Sequence, residues 1–153
     1  MKRNHRTVLV GGLAILAAAT PLLAAPADVV RARIAGYREL GTAFKNVNDA
    51  LRGPNPPLAA LQASSRTITT TARALGNWFP AGTGPQPGIK TRAKAEIWTR
   101  ASQFSVAQAA FTAQAGAFDR AVKSGNMDAI RAEARKLGGT CKGCHDQFRA
   151  PEE

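Results

Sequence analysis

The stretch GGTCKGCHDQFR, Gly138–Arg149, holds both cysteines of the chain and one of its two histidines. Cys141 and Cys144 stand at i and i+3, one helical turn apart, and His145 follows at once. Upstream, Ile130, Ala134 and Leu137 continue into Cys141, Cys144 and Phe148 at spacings of four and three. That period predicts an amphipathic helix with one mainly apolar stripe turned to a core. Cys141, Cys144 and His145 share the arc of Leu137 and Phe148, so the motif is expected to point into the body of the protein.

Three more segments carry the same seven-residue repeat. The first runs through Val30, Ile34, Tyr37, Gly41, Phe44, Asn48 and Leu51, with Leu40 and Val47 flanking the stripe and available for an outward contact. The second is Leu58, Leu61, Ser65, Ile68, Ala72 and Leu75. The third is Ile97, Ala101, Phe104, Gln108, Phe111, Ala115, Phe118 and Val122, with Gln108 its one polar interruption. Trp98 and these phenylalanines read as core. Pro and Gly clusters at 52–57, 78–88 and 123–126 separate the segments, and no strand-like alternation occurs. The fold class expected is all-α, an antiparallel four-helix bundle. Asn126 is the expected N-cap of the last helix, with Asp128 favourably placed against its dipole.

The chain opens MKRNHRTVLVGGLAILAAATPLLAAPADVV. Lys2, Arg3 and Arg6 precede an apolar run and then small residues, the pattern of a secretory signal peptide over 1–24, cut between 24 and 28. Residues 25–153 are then one exported domain, large enough for a real core and without a membrane anchor. The formal charge is +11; without the leader's three cations, 18 Lys and Arg face 10 Asp and Glu. These cations are scattered along Ala-rich helices without an aromatic-basic platform, so nucleic acid is not expected as a partner, and solvated helix faces account for the charge. An acidic redox partner remains open.

C-x-x-C-H is the attachment signature of c-type haem, in which two thiols add to the porphyrin and the next imidazole reaches the iron. Structural zinc wants four ligands, and the exported chain offers three nitrogen or sulfur donors of this kind. A thioredoxin-type pair needs a strand-to-helix junction, which no strand pattern provides. A disulfide would leave His145 a coincidence. One covalent haem c on Cys141 and Cys144, with His145 as iron ligand, is therefore expected. His5 leaves with the leader, and Met127 lies on the motif's own helix, about five turns before His145. No strong second ligand remains except a lysine, a rare choice, so the iron should be five-coordinate.

With its late CKGCHDQFR, an EIW opening the third helix and DVVRARIAGYREL in the first, the exported chain resembles the cytochromes c′ over its whole length. The resemblance implies a periplasmic, usually homodimeric bundle that binds NO and CO more readily than O₂ and dimerises through its first two helices. Matched position by position, it places Arg33 beside a haem propionate and Tyr37 over the ligand face. It also places Arg149 near the proximal face, with Ile34 in the pocket. Arg92 and Lys94, near the end of the second loop, are further candidates for the propionates. Gas binding and electron transfer through a periplasmic redox partner are both expected of such an iron; the alternative is a dedicated six-coordinate carrier with an unrecognised ligand. Peroxidase-type chemistry wants a distal His or carboxylate, and none is evident, so no enzyme activity is expected.

Overall fold

The computed structural model describes residues 25–151; the leader reading at 1–24 lies outside them. Five helices follow one another: α1 (Pro26–Arg52), α2 (Leu58–Ala74), the single turn α3 (Glu96–Thr99), α4 (Ala101–Ser124) and α5 (Met127–Phe148). The ends are set locally. Pro26 opens α1 at a position where a missing N–H is harmless, and Asp28 sits in its first turn. Gly53 and the prolines after it stop α1, and α2 starts directly after Pro57. Gly125, at φ 70°, takes the left-handed conformation that closes α4. Asn126 then caps α5 as expected, its side-chain oxygen accepting the Ala129 N–H at 3.0 Å.

The long helices make the expected all-α bundle, with α4 packed between α2 and α5, and α1 laid on α2. By contrast, α1 and α5 meet at few positions. They flank a thinly packed seam, and the cysteine motif lies on the α5 side of it. The third segment is not one helix: Arg100, at φ −122° and ψ 46°, breaks α3 from α4.

The main core is aliphatic and small-residue in character, with Val47, Leu61, Ile68, Phe118, Ile130 and Leu137 all but inaccessible. Gln108 is not a flaw in its stripe, since its side-chain amide donates to the Leu75 carbonyl at 3.0 Å and ties α4 to the end of α2. Ser65 is buried and donates to Asp119 on α4 at 2.9 Å.

Helix α1 corrects the periodic reading. Its buried positions are Val30, Arg33, Leu40, Ala43 and Val47, whereas Gly41 is exposed. Leu40 and Val47, at 8% and 0% exposure, are core residues and offer nothing outward. The cause is that α1 packs on α2 along one flank and faces the seam along the other, so its covered arc is rotated from the stripe. Among the described residues Val106 is the one large hydrophobic side chain that is exposed, at 69%. Surface Val of this kind needs no special account.

Gly36 and Gly41 sit well inside α1, where glycine costs about 1 kcal/mol relative to alanine. Gly41 has open space beside it. A Cβ at Gly36 would lie 2.4 Å from Trp78, a contact no real side chain makes.

Candidate functional site

Three elements converge at the α3 end of the bundle: the first half of α1, the loop between α2 and α3, and the last turns of α5. Cys141 and Cys144 are half-buried on α5. Cys141 packs against the main core, while Cys144 packs against a second, aromatic cluster of Ile97, Phe104 and Phe148 with Phe79 and Trp98. Burial pushes the Cys141 thiol up to about 11, with the Cys144 charge adding to the effect. Burial raises Cys144 as well. At neutral pH both are protonated thiols.

His145 departs from the expected inward arc: it is exposed, at the edge of the stripe that holds Leu137 and Phe148. Its imidazole titrates below the ordinary value, first through partial desolvation and then through the nearby Arg149 and Arg92 charges. The neutral ring is the form that ligates a metal. Arg149 is exposed and Ile34 half-buried.

Arg92, Lys94 and Arg149 are brought together by a short antiparallel pairing that the sequence does not announce. Ala93 bridges Arg149, the Lys94 N–H donates to the Phe148 carbonyl at 3.0 Å, and the Ala150 N–H donates to the Arg92 carbonyl at 2.8 Å. The Arg92 guanidinium returns two hydrogen bonds to the Ala150 carbonyl, at 2.9 and 2.8 Å. Lys94 Nζ reaches the Asp146 carbonyl at 3.4 Å.

Arg33 is the least expected of these residues in its setting. Only 3% of it is exposed. Nη1 donates to the Trp78 carbonyl and to Thr83 Oγ1, both at 3.3 Å; Nη2 donates to the Thr83 carbonyl and to Thr91 Oγ1, both at 3.1 Å. Its cationic carbon lies 4.5 Å over the Phe79 ring. Burial lowers its pKa. All four hydrogen bonds go to neutral oxygens of the α2–α3 loop, so the charge is solvated but not neutralised. Trp78, Phe79, Thr83 and Thr91 were not legible as site residues. The available signal was a cation three residues after Val30, on the buried side of α1.

Tyr37 lies on the seam side of α1, near both cysteines. Burial raises its phenol pKa above the ordinary value, and the charge on Cys144 contributes next. Its ring meets Trp78 edge-on at 5.0 Å and lies 6.2 Å from Phe79. Its hydroxyl makes no hydrogen bond among the described residues.

The profile of the Cytochrome C' family matches residues 28–149. The chain belongs to the cytochrome c′ family. It is 31% identical over 124 residues to the cytochrome c′ of Rubrivivax gelatinosus, covering 81% of this chain and 95% of that one. With the cytochrome c′ of Rhodospirillum rubrum it shares 33% identity over 147 residues, covering 95% and 98%. The crystal structure of cytochrome c′ from Thermochromatium tepidum superposes with a TM-score of 0.79 at 24% identity, covering 84% and 98%, a likeness of fold. A nitric oxide complex of a variant cytochrome c prime from Alcaligenes xylosoxidans superposes with a TM-score of 0.76 at 27% identity, covering 85% and 99%. As a cytochrome c′, the chain carries one covalently bound haem c. The residues fit that group: two thiols one turn apart, a neutral imidazole beside them, a thinly packed seam, and a buried cation without an acidic partner among its hydrogen bonds.

Proposed function

We propose that Cys141 and Cys144 hold the haem, that His145 is its one protein ligand, and that the chain binds NO and CO on the side of Tyr37. The haem supplies an iron with a coordination position open to a small ligand. The observation that carries this reading is the distribution of strong ligands. His145 is the only histidine among the described residues, and Met127 opens the same helix, where it packs into the main core. Tyr37 brings an unbonded hydroxyl and an aromatic face to the seam. Arg33, Arg92 and Lys94 are the cations nearest at hand for propionates. The nitric oxide complex of the Alcaligenes relative supports a gas ligand in this fold.

Two measurements test it. Haem staining after denaturing electrophoresis should colour the wild-type band and lose it in the Cys141→Ala, Cys144→Ala double variant; colour removed by acid-acetone ends the covalent reading. The reduced protein should then give a high-spin, five-coordinate spectrum that changes on adding NO or CO. A low-spin six-coordinate spectrum means a second protein ligand and makes dedicated electron transfer the better account.

The export reading places the protein in the periplasm, where it can also pass electrons to a redox partner. No helix among the described residues is long and apolar enough to cross a membrane. Pairing of two copies through α1 and α2 is kept, but on different residues from those first expected. The outer groove between these helices has a volume of about 310 Å³ and is lined by Ala43 and Ala63 together with Glu39, Thr42, Asn46, Ser64 and Thr67, so it offers small apolar and polar contacts side by side. Light scattering that shows a monomer at every practical concentration rejects the pair.

A further inference from the structure

Trp78 is pinned on three sides. A Cβ at Gly36 would come to 2.4 Å from its Cη2 and 2.6 Å from its Cζ2, so the indole rests on the bare backbone of α1. The Trp78 backbone N–H donates to the Leu75 carbonyl at 3.2 Å, and its backbone carbonyl accepts from Arg33 Nη1 at 3.3 Å. On its free edge it meets Tyr37, the residue that directly follows Gly36, at 5.0 Å and 84°. Tyr37 has no hydrogen bond among the described residues, so ring packing alone sets where its hydroxyl lies. Phe79 stands farther off, at 6.2 Å.

We propose that Trp78, seated on Gly36, is the positioning residue that fixes Tyr37 beside a bound diatomic ligand. This rests on the gas-binding reading above and assigns its geometry to a residue that acts through Tyr37. Edge-to-face pairs prefer this arrangement because the positive rim of one ring meets the negative face of the other. A side chain at position 36 expels the indole, removes that pairing and leaves the Tyr37 ring free to rotate. Position 41 lies on the same helix with nothing within 4 Å, and it supplies the matched control.

The test uses the haem-loaded protein with Gly36→Ala, Trp78→Ala and Gly41→Ala. The chain contains one tyrosine, so the tyrosine bands in ultraviolet resonance Raman report on Tyr37 alone. Gly36→Ala and Trp78→Ala should both move those bands and change the CO association rate about three- to tenfold, the scale of one aromatic pair. Gly41→Ala should change neither. Alanine is the better helix former, so Gly36→Ala keeps α1 intact even if Trp78→Ala fails to fold. When Tyr37→Ala is already present, adding Gly36→Ala should leave the CO rate where it was, because the second change acts only through the first. Unmoved tyrosine bands, or additive effects on the CO rate, overturn the proposal. Should the wild-type protein take up no CO, the gas-binding reading fails by itself, and the tyrosine bands still decide whether Trp78 positions Tyr37.

Discussion

The bundle has two ends built on different rules. Away from the cysteines, α2, α4 and the first half of α5 close around Leu61, Ile68, Phe118 and Ile130, side chains that need only shape and volume to fit. At the cysteine end, packing runs through rings at set angles, Phe79 to Phe104 at 4.8 Å and Phe104 to Phe148 at 5.1 Å. There a buried guanidinium gathers a loop, and the Trp78 indole of that loop rests on Gly36 of α1. The contrast separates stability from function. The first end is closed by apolar packing, and the second leaves a thinly packed seam beside the cysteines.

The largest effect expected is on the aliphatic end. Phe118→Ala should destabilise the protein by about 3–5 kcal/mol, since a wholly buried ring leaves a cavity. Denaturant titration of the haem-free chain measures it. A loss under about 1 kcal/mol would mean that this end is less tightly packed than its burial implies.

Arg33→Leu should cost about 1–3 kcal/mol, through the carbonyl and hydroxyl oxygens left without their donor. The loss should be local. Amide exchange should quicken across residues 78–91, while the slowest amides of α4 keep their protection. Uniform quickening over the whole chain would show one cooperative unit and abolish the contrast between the ends.

A smaller test sits on the α2–α4 interface. Burial works against the charge on Asp119, but hydrogen bonds from Lys123 and Ser65 outweigh it and hold the carboxyl below its ordinary range. A carboxyl depressed in the folded state stabilises above its unfolded pKa, and that contribution is lost as pH falls through the folded value. Ser65→Ala removes one donor, so the midpoint of acid unfolding should move to higher pH. An unmoved midpoint assigns the effect to Lys123 and the nearby Arg73 charge. The smallest change is Gly41→Ala, which fills open space on α1 and should stabilise by up to about 1 kcal/mol in thermal unfolding.

Much of this was readable in the residues, for reasons that differ between the ends. Ile68, Phe111, Phe118 and Ile130 follow helical periodicity because a helix gripped by close neighbours buries a fixed arc. Cys141, Cys144 and His145 stand out in the sequence because their spacing is an attachment signature, and the structure sets all three on the last turns of α5. Leu40 and Val47 were misjudged because α1 has a packed neighbour on one flank only, and periodicity does not say which edge of a stripe is covered. His145 was expected inside, but the arc at the end of α5 borders the seam. The break at Arg100 falls in a run without glycine or proline, so no local signal marks it. The loop contacts of Arg33 join residues far apart in sequence, Thr83 and Thr91 among them, and no helical pattern carries such a pairing.

The tight turn at Gly125 and Asn126 has a consequence for the order of assembly. Helices α4 and α5 are joined by almost no loop and pack along their length, so their hairpin is the contact with the least closure entropy to overcome. The α1–α5 seam is the opposite case: it joins the first and last helices, across the greatest stretch of chain, and has few contacts to reward the closure. A covalent group on α5 that also touches α1 would act there as a rivet, fastening the two elements that the polypeptide by itself is slowest to bring together.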